Sequence, residues 1–206
     1  MKKIYLLLPL LANISFADMT TIFYQSAEVD ASNSTVTLEQ DFFGFQSYNS
    51  TVKSEWSFSV GTGETDDAGT VTSDVDVYEL GYTQYYADRT SEASPYLHGG
   101  LGFVSVETNA NAAVALSYDA SAVTIKGGYA LVPETGFGYN VGAGLITTIY
   151  DEDPSNATVL DTETDFTISG SLSYVLENGL GFTAAIVETG DDSADLKSFI
   201  GIRYQF

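Results

Sequence analysis

From Thr20 to Phe206 the chain alternates between apolar and small or polar positions, and the alternation restarts after each polar break. At the C-terminus Ile200, Ile202, Tyr204 and Phe206 interleave with Phe199, Gly201, Arg203 and Gln205. Leu180, Phe182, Ala184 and Ile186 interleave with Gly181, Thr183 and Ala185 in the same way. Phe166, Ile168, Leu172 and Tyr174 alternate with Thr167, Ser169, Ser171 and Ser173, and Phe137, Tyr139, Val141 and Leu145 with Gly138, Asn140, Gly142 and Gly144. Successive side chains of a strand point to opposite faces, so a period of two predicts two-faced strands and an all-β fold.

The pattern predicts eight strands after Thr51, near 51–61, 73–87, 95–107, 113–132, 137–150, 162–176, 180–189 and 196–206. Val114, Leu116 and Tyr118 lie on the opposite parity from Val123, Ile125, Tyr129 and Leu131, which predicts a bulge or an outer hairpin extension near Asp119. Upstream, Thr20 to Val29 and Ser34 to Ser47 form a further hairpin around Asp30 to Asn33. The expectation is a transmembrane up-and-down antiparallel β-barrel of ten strands; the alternative is eight strands with that N-terminal hairpin at the rim or in the lumen.

The two faces differ in a way that selects a barrel over a soluble sandwich. A sandwich core needs bulky side chains to reach native packing density, whereas here the second face is largely Gly, Ser, Thr and Asn. That face suits a tight polar lumen, and the apolar face then meets lipid. Connections agree. Tight turns at Tyr48-Asn49-Ser50, Asp88 to Ser94, Pro133 to Gly136 and Glu177-Asn178-Gly179 alternate with longer acidic segments at Gly61 to Ser73, Glu107 to Ala112, Asp151 to Asp161 and Asp191 to Asp195. Short periplasmic turns and longer outer loops are the bacterial arrangement, and both termini on the periplasmic side require an even strand count.

The first residues have a different character. Lys2 and Lys3 precede the apolar run Ile4 to Ala12, and Ser15 and Ala17 present small side chains at the spacing a signal peptidase reads. Residues 1–17 are expected to be a signal peptide cleaved near Ala17, and 18–206 the outer-membrane barrel domain, located in the cell outer membrane. A retained helical anchor is the alternative, but the apolar run is short and interrupted by Pro9, while a span needs ~20 apolar residues. After Ala17 no run is long and apolar enough for a helical span, and without cysteine the chain has neither a lipid-attachment cysteine nor disulfides.

Charge narrows the partners. Seven basic residues stand against 28 acidic ones, and losing Lys2 and Lys3 with the leader takes the formal charge from −21 to −23. Such a chain repels nucleic-acid phosphates. Its 44% hydrophobic and 13% aromatic content is too high for a disordered acidic chain, so the acids belong in solvated loops.

Candidate chemistry is sparse. Lys53, Glu55, Glu79, Lys126 and Arg203 take the inward parity of their predicted strands and form a barrel-interior charge cluster. It serves either as a plug of ion pairs, since narrow barrels are filled by side chains, or as a polar pathway for small solutes. His98, the single histidine, is also inward but near a periplasmic turn, far from outer-leaflet substrates. Catalytic residues, cofactor and metal are expected to be absent. Asp151, Glu152, Asp153, Asp191, Asp192 and Asp195 lack the spacing of a calcium loop. The glycines at 99–102 and 142–144 lie within strands and are not phosphate loops.

The last strand resembles the C-terminal assembly signal of outer-membrane barrels, with Phe206 terminal, Tyr204 two residues before it and Gly201 five before it; Phe199 departs from the polar residue found at the start of that pattern. Ser94 to Phe103 resembles an up-strand of small barrels of the OmpA/OmpX and opacity-protein type. Aromatics cluster near the predicted turns, as interfacial girdles do: Tyr82, Tyr86, Tyr129, Phe137, Tyr139, Tyr174, Phe182 and Tyr204 toward the periplasm, Tyr78, Phe103 and Phe166 toward the outside. The resemblance to small Gram-negative outer-membrane β-barrels implies partnership with the barrel assembly machinery, then with outer-membrane lipid and lipopolysaccharide. It also implies a non-enzymatic structural or surface-interaction role. A narrow pore is the alternative, and a lipid-modifying enzyme a more distant one.

Overall fold

A computed structural model describes residues 17–30, 36–67, 70–108, 118–150, 162–190 and 197–206. They form ten strands: β1 Met19–Asp30, β2 Val36–Asn49, β3 Ser54–Asp67, β4 Thr70–Tyr85, β5 Ser94–Thr108, β6 Tyr118–Leu131, β7 Gly136–Tyr150, β8 Thr162–Val175, β9 Leu180–Thr189 and β10 Lys197–Gln205. Each strand pairs antiparallel with its sequence neighbours, and β1 pairs with β10 from Thr21↔Gln205 to Glu28↔Ser198, which closes the barrel. The N-terminal hairpin is therefore part of the wall, and the barrel has the ten strands expected. Closure leaves no sheet edge with unpaired backbone. Residues 1–16 of the expected signal peptide lie outside the described residues, as do the acidic segments 151–161 and 191–196.

Local chemistry sets the tight turns. Gly179 (φ 83°) and Gly136 (φ 94°) take the left-handed conformation that reverses the chain before β9 and β7. Between β2 and β3 the reversal uses Ser50 to Lys53: Asn49 Oδ1 accepts the Val52 N–H at 3.0 Å, and Lys53 itself has a positive φ of 53°. Asp18 braces this turn, its carboxylate accepting both the N–H and the hydroxyl of Ser50 at 2.6 Å. Those bonds hold the Asp18 carboxyl below the usual carboxylate range. No register shift occurs around Asp119, which pairs with Ser105 in continuous register; the shift among the described residues is at Thr65/Asp66. The expected bulge is thus absent at Asp119 itself, and residues 113–117 lie outside the described set.

The exterior carries a continuous apolar band. One directly paired outward row reads Tyr24–Phe43–Val60–Tyr78–Phe103 across β1 to β5, and the next reads Ile22–Phe45–Phe58–Leu80–Leu101–Val123. On the other side of the barrel Ile125, Leu145, Ile168, Leu172, Phe182, Ile186, Ile200 and Ile202 are exposed. Two residues outward from the first row the character changes abruptly: Ser26, Asp41, Thr62, Asp76, Ser105 and Asp119 form the next paired row. Tyr24 bridges the boundary by donating its hydroxyl to Asp41 at 2.8 Å. Strands β2 to β8 run 14–16 residues, more than the ~9–11 a tilted membrane strand needs. Their surplus length lies beyond this boundary, on the side away from the tight turns.

Inside, the barrel is less uniformly polar than the small second face implies. Ala27, Phe42, Val75 and Val77 form a buried cluster with Val104, Val106 and Phe199, covering the outer half of the wall built by β10, β1, β2, β4 and β5. The residue that departs from the terminal-strand pattern, Phe199, stacks against Phe42 with ring centroids 6.0 Å apart. Met19, Tyr48, Tyr85, Tyr96 and Ala130 form a second cluster at the turn end, joined by Val132.

Candidate functional site

Between the two clusters lies a polar cavity of about 270 Å³. Its floor is a row of directly paired inward residues, Glu55 on β3, Thr83 on β4, His98 on β5 and Lys126 on β6. Thr83 Oγ1 and His98 Nδ1 are 2.9 Å apart. The His98 ring leans over Gly81, where a Cβ would sit 2.8 Å from its Cε1, so the glycine supplies the space the imidazole occupies. Arg203 enters from β10 and donates through Nη2 to Thr21 Oγ1 and Gln205 Oε1, both at 3.2 Å. Its Nε is buried without a hydrogen-bond partner.

The predicted cluster divides. Glu55, Lys126 and Arg203 line the cavity. Glu79 keeps the inward register of β4 and accepts the Ser59 hydroxyl at 3.0 Å, and its charge acts on Lys126. Lys53 is a correction: it belongs to the β2–β3 turn, not to a strand, and its Nζ donates to the Tyr86 carbonyl at 3.2 Å. The turn is longer than the three residues the sequence suggested, so the strand starts at Ser54 and the lysine never enters the lumen.

The most buried charge in the barrel was not among the predicted residues. Arg89 belongs to the turn between β4 and β5, yet it is 1% exposed. The turn folds inward, and the Arg89 guanidinium reaches Glu55 in a buried ion pair. Its plane lies over the rings of Tyr48 and Tyr85, 4.5 and 5.3 Å from their centroids, a cation–π arrangement. Asp88 holds the turn in that pose by accepting from the Thr90 N–H, the Thr90 hydroxyl and the Tyr48 hydroxyl. Burial opposes ionisation of Asp88, but these bonds outweigh it and its carboxyl is lowered from the usual range. The sequence did contain a signal: a lone arginine in a short turn beside inward-parity Tyr85 and Tyr96 is a cation with aromatic faces in reach.

Contacts between strands and turns that do not pair in the sheet span the turn end of the lumen. The Val132 N–H donates to the Arg89 carbonyl at 2.7 Å. Gln205 Nε2 on β10 donates to the Glu134 carbonyl at 3.1 Å, reaching the turn between β6 and β7. Tyr96 donates to Asn140 Oδ1 at 2.9 Å. Together with the tyrosine cluster, these groups narrow the cavity at that end.

As for reaction chemistry, His98 bonds Thr83 and faces Lys126 across the ladder. Among the described residues no three His, Cys, Asp or Glu side chains are grouped to hold a metal ion. The acids Asp151, Glu152, Asp153, Asp191, Asp192 and Asp195 lie outside the described residues.

No family model and no curated protein matches the chain. Among solved structures it is similar to the N-terminal β-barrel domain of Pseudomonas aeruginosa OprF, at 13% identity over 92% of this chain and 98% of that one, with a TM-score of 0.43. It is also similar to the β domain of the Bordetella autotransporter BrkA, at 12% identity over 90% and 97% of the two chains and a TM-score of 0.48. A third is Ail, the attachment invasion locus protein of Yersinia pestis, at 11% identity over 91% and 97% and a TM-score of 0.42. At these identities and TM-scores the likeness concerns the barrel architecture and no function.

Proposed function

We propose that this protein is an integral outer-membrane barrel, exported by the leader at 1–17 and cleaved near Ala17, with a non-enzymatic structural or surface-interaction role. The observation that carries the location is the outward boundary, where Tyr24–Phe43–Val60–Tyr78–Phe103 gives way in one step to Ser26–Asp41–Thr62–Asp76–Ser105 all along the paired rows. An exposed apolar belt of this extent on a closed barrel has no favourable contact in water, because monomeric soluble proteins rarely leave a contiguous patch beyond a few hundred Å². Lipid satisfies it, and the acidic strand extensions beyond the boundary then project from the outer face. Outer-membrane lipid and lipopolysaccharide are the surrounding partners in this reading. The strand ending in Gly201, Tyr204 and Phe206 is the element offered to the assembly machinery.

Fractionation of cells, with gel mobility compared before and after boiling, tests the placement. Outer-membrane recovery with a heat-dependent mobility shift is the expected result, and a soluble periplasmic protein without a shift refutes it. The polar cavity favours a second reading, a narrow pore, while the contacts across the turn end support the first. Planar bilayers separate the two: a silent barrel supports the first, and stable unitary conductance altered by Lys126→Gln supports the second.

A further inference from the structure

The charge inside the barrel runs opposite to the charge of the chain. Outside the leader the protein has five basic residues, seven less Lys2 and Lys3, against 28 acidic ones. Three of those five, Arg89, Lys126 and Arg203, line the cavity between the two apolar clusters, beside the only histidine of the sequence. One carboxylate, Glu55, lines the same cavity, and it is taken by Arg89. Glu79 acts on Lys126 from β4, across the intervening β5. Among the described residues, Arg203, 8% exposed, has no carboxylate within ion-pair distance: its two bonds go to a hydroxyl and an amide oxygen, and its Nε is left over. A buried cation is stable when a charge or strong acceptors complete its shell, and a guanidinium is built to take two oxygens of one planar or tetrahedral anion.

We propose that this cavity is a binding site for a small oxyanion, a solute carrying a carboxylate or phosphate group, held by Arg203 with Lys126 and polar side chains of the wall. The size fits. At about 30 Å³ per water, the cavity has room for about nine waters, enough for inorganic phosphate or a short dicarboxylate with part of its hydration. Access is from the outer end. The turn end is crossed by Arg89 and by the Gln205–Glu134 bond, while the inward residues above the cavity on β6 and β8 are small: Ala122, Thr124 and Thr167. The site depends on the interior alone, so its failure leaves the membrane placement standing.

The test is calorimetric titration of the barrel folded in detergent micelles with inorganic phosphate, and separately with malonate, at constant ionic strength in sodium chloride. Saturable binding of one anion at roughly one per barrel is expected, and which anion binds more tightly identifies the source. Arg203→Gln should weaken it at least tenfold and Lys126→Gln measurably, with Lys53→Gln, outside the cavity, unchanged. Mobility of unheated samples establishes that each variant is folded, and if Arg203→Gln does not fold, Lys126→Gln carries the comparison. No saturable binding of either anion overturns the proposal, as does equal weakening by Lys53→Gln or an unaffected affinity in a folded Arg203→Gln barrel.

Discussion

The buried pair of Arg89 and Glu55 gives the sharpest energetic prediction. Glu55→Gln keeps the shape and an acceptor oxygen but removes the charge that compensates a guanidinium 1% exposed to solvent. Removing one partner of a buried pair costs about 3–5 kcal/mol, because the other charge is left uncompensated. Two terms soften that figure. The glutamine oxygen still accepts a hydrogen bond, and the faces of Tyr48 and Tyr85 still hold the cation, at roughly 0.5–2 kcal/mol for a desolvated cation–π contact. The expected loss is about 2–4 kcal/mol. Arg89→Met leaves Glu55 unpaired and should cost a similar amount, whereas the double variant removes both charges and should recover much of it. The coupling energy in that cycle is expected to exceed about 1 kcal/mol. Urea unfolding of the barrel in lipid vesicles, followed by fluorescence and by gel mobility of unheated samples, measures all four proteins. A loss below about 0.5 kcal/mol for Glu55→Gln, or simple additivity in the double variant, would show that the pair does not bind the turn to the wall as described.

Three further outcomes follow from the same geometry. A Cβ at Gly61 would lie 2.6 Å from the Phe42 ring, so Gly61→Ala should destabilise the barrel by about 1–3 kcal/mol through overpacking, and the added Phe42→Leu change should relieve part of it. Asp88 has a lowered folded-state pKa, so its stabilising contribution is present above the ordinary carboxylate value and disappears as pH falls through the folded value; the stability difference between the wild-type barrel and Asp88→Asn should hold at neutral pH and shrink as pH falls below about 4, and a constant difference would contradict the assignment. Opening the turn end by Tyr48→Ala with Arg89→Ala should give a barrel with measurable conductance in planar bilayers, while continued silence would place the block elsewhere.

Much of this molecule is legible because its organising signal is local. Alternation between i and i+2 needs no partner strand, so the strands from Ser94 to Phe206 fall within a few residues of their positions in the sequence pattern, except near 113–117. The outward set Ile200, Ile202, Tyr204 and Phe206 and the inward set Gly201, Arg203 and Gln205 emerge on the expected faces. Lys126 and Arg203 reach the lumen for the same reason. What alternation does not contain is parity across a turn and register across a ladder. A reversal that takes one residue more than expected moves the strand boundary, and Lys53 stays outside the wall because the chain closes its turn through Asn49 and Val52. Adjacent Phe42 and Phe43 must point to opposite faces, and which one fills the lumen is set by pairing: Phe42 stands directly opposite Gly61, whose missing side chain leaves room for its ring. Arg203 opposite Gly181 and Lys126 opposite Gly144 repeat that complementarity between strands. Arg89 lies furthest from any local signal. Its side chain is inside because a turn folds under the barrel toward a glutamate 34 residues earlier in the chain, and only the closed wall brings that cation, its carboxylate and two tyrosine faces to one point. The sequence by itself determined the strands and the faces they present; closure and register decided which side chains meet inside.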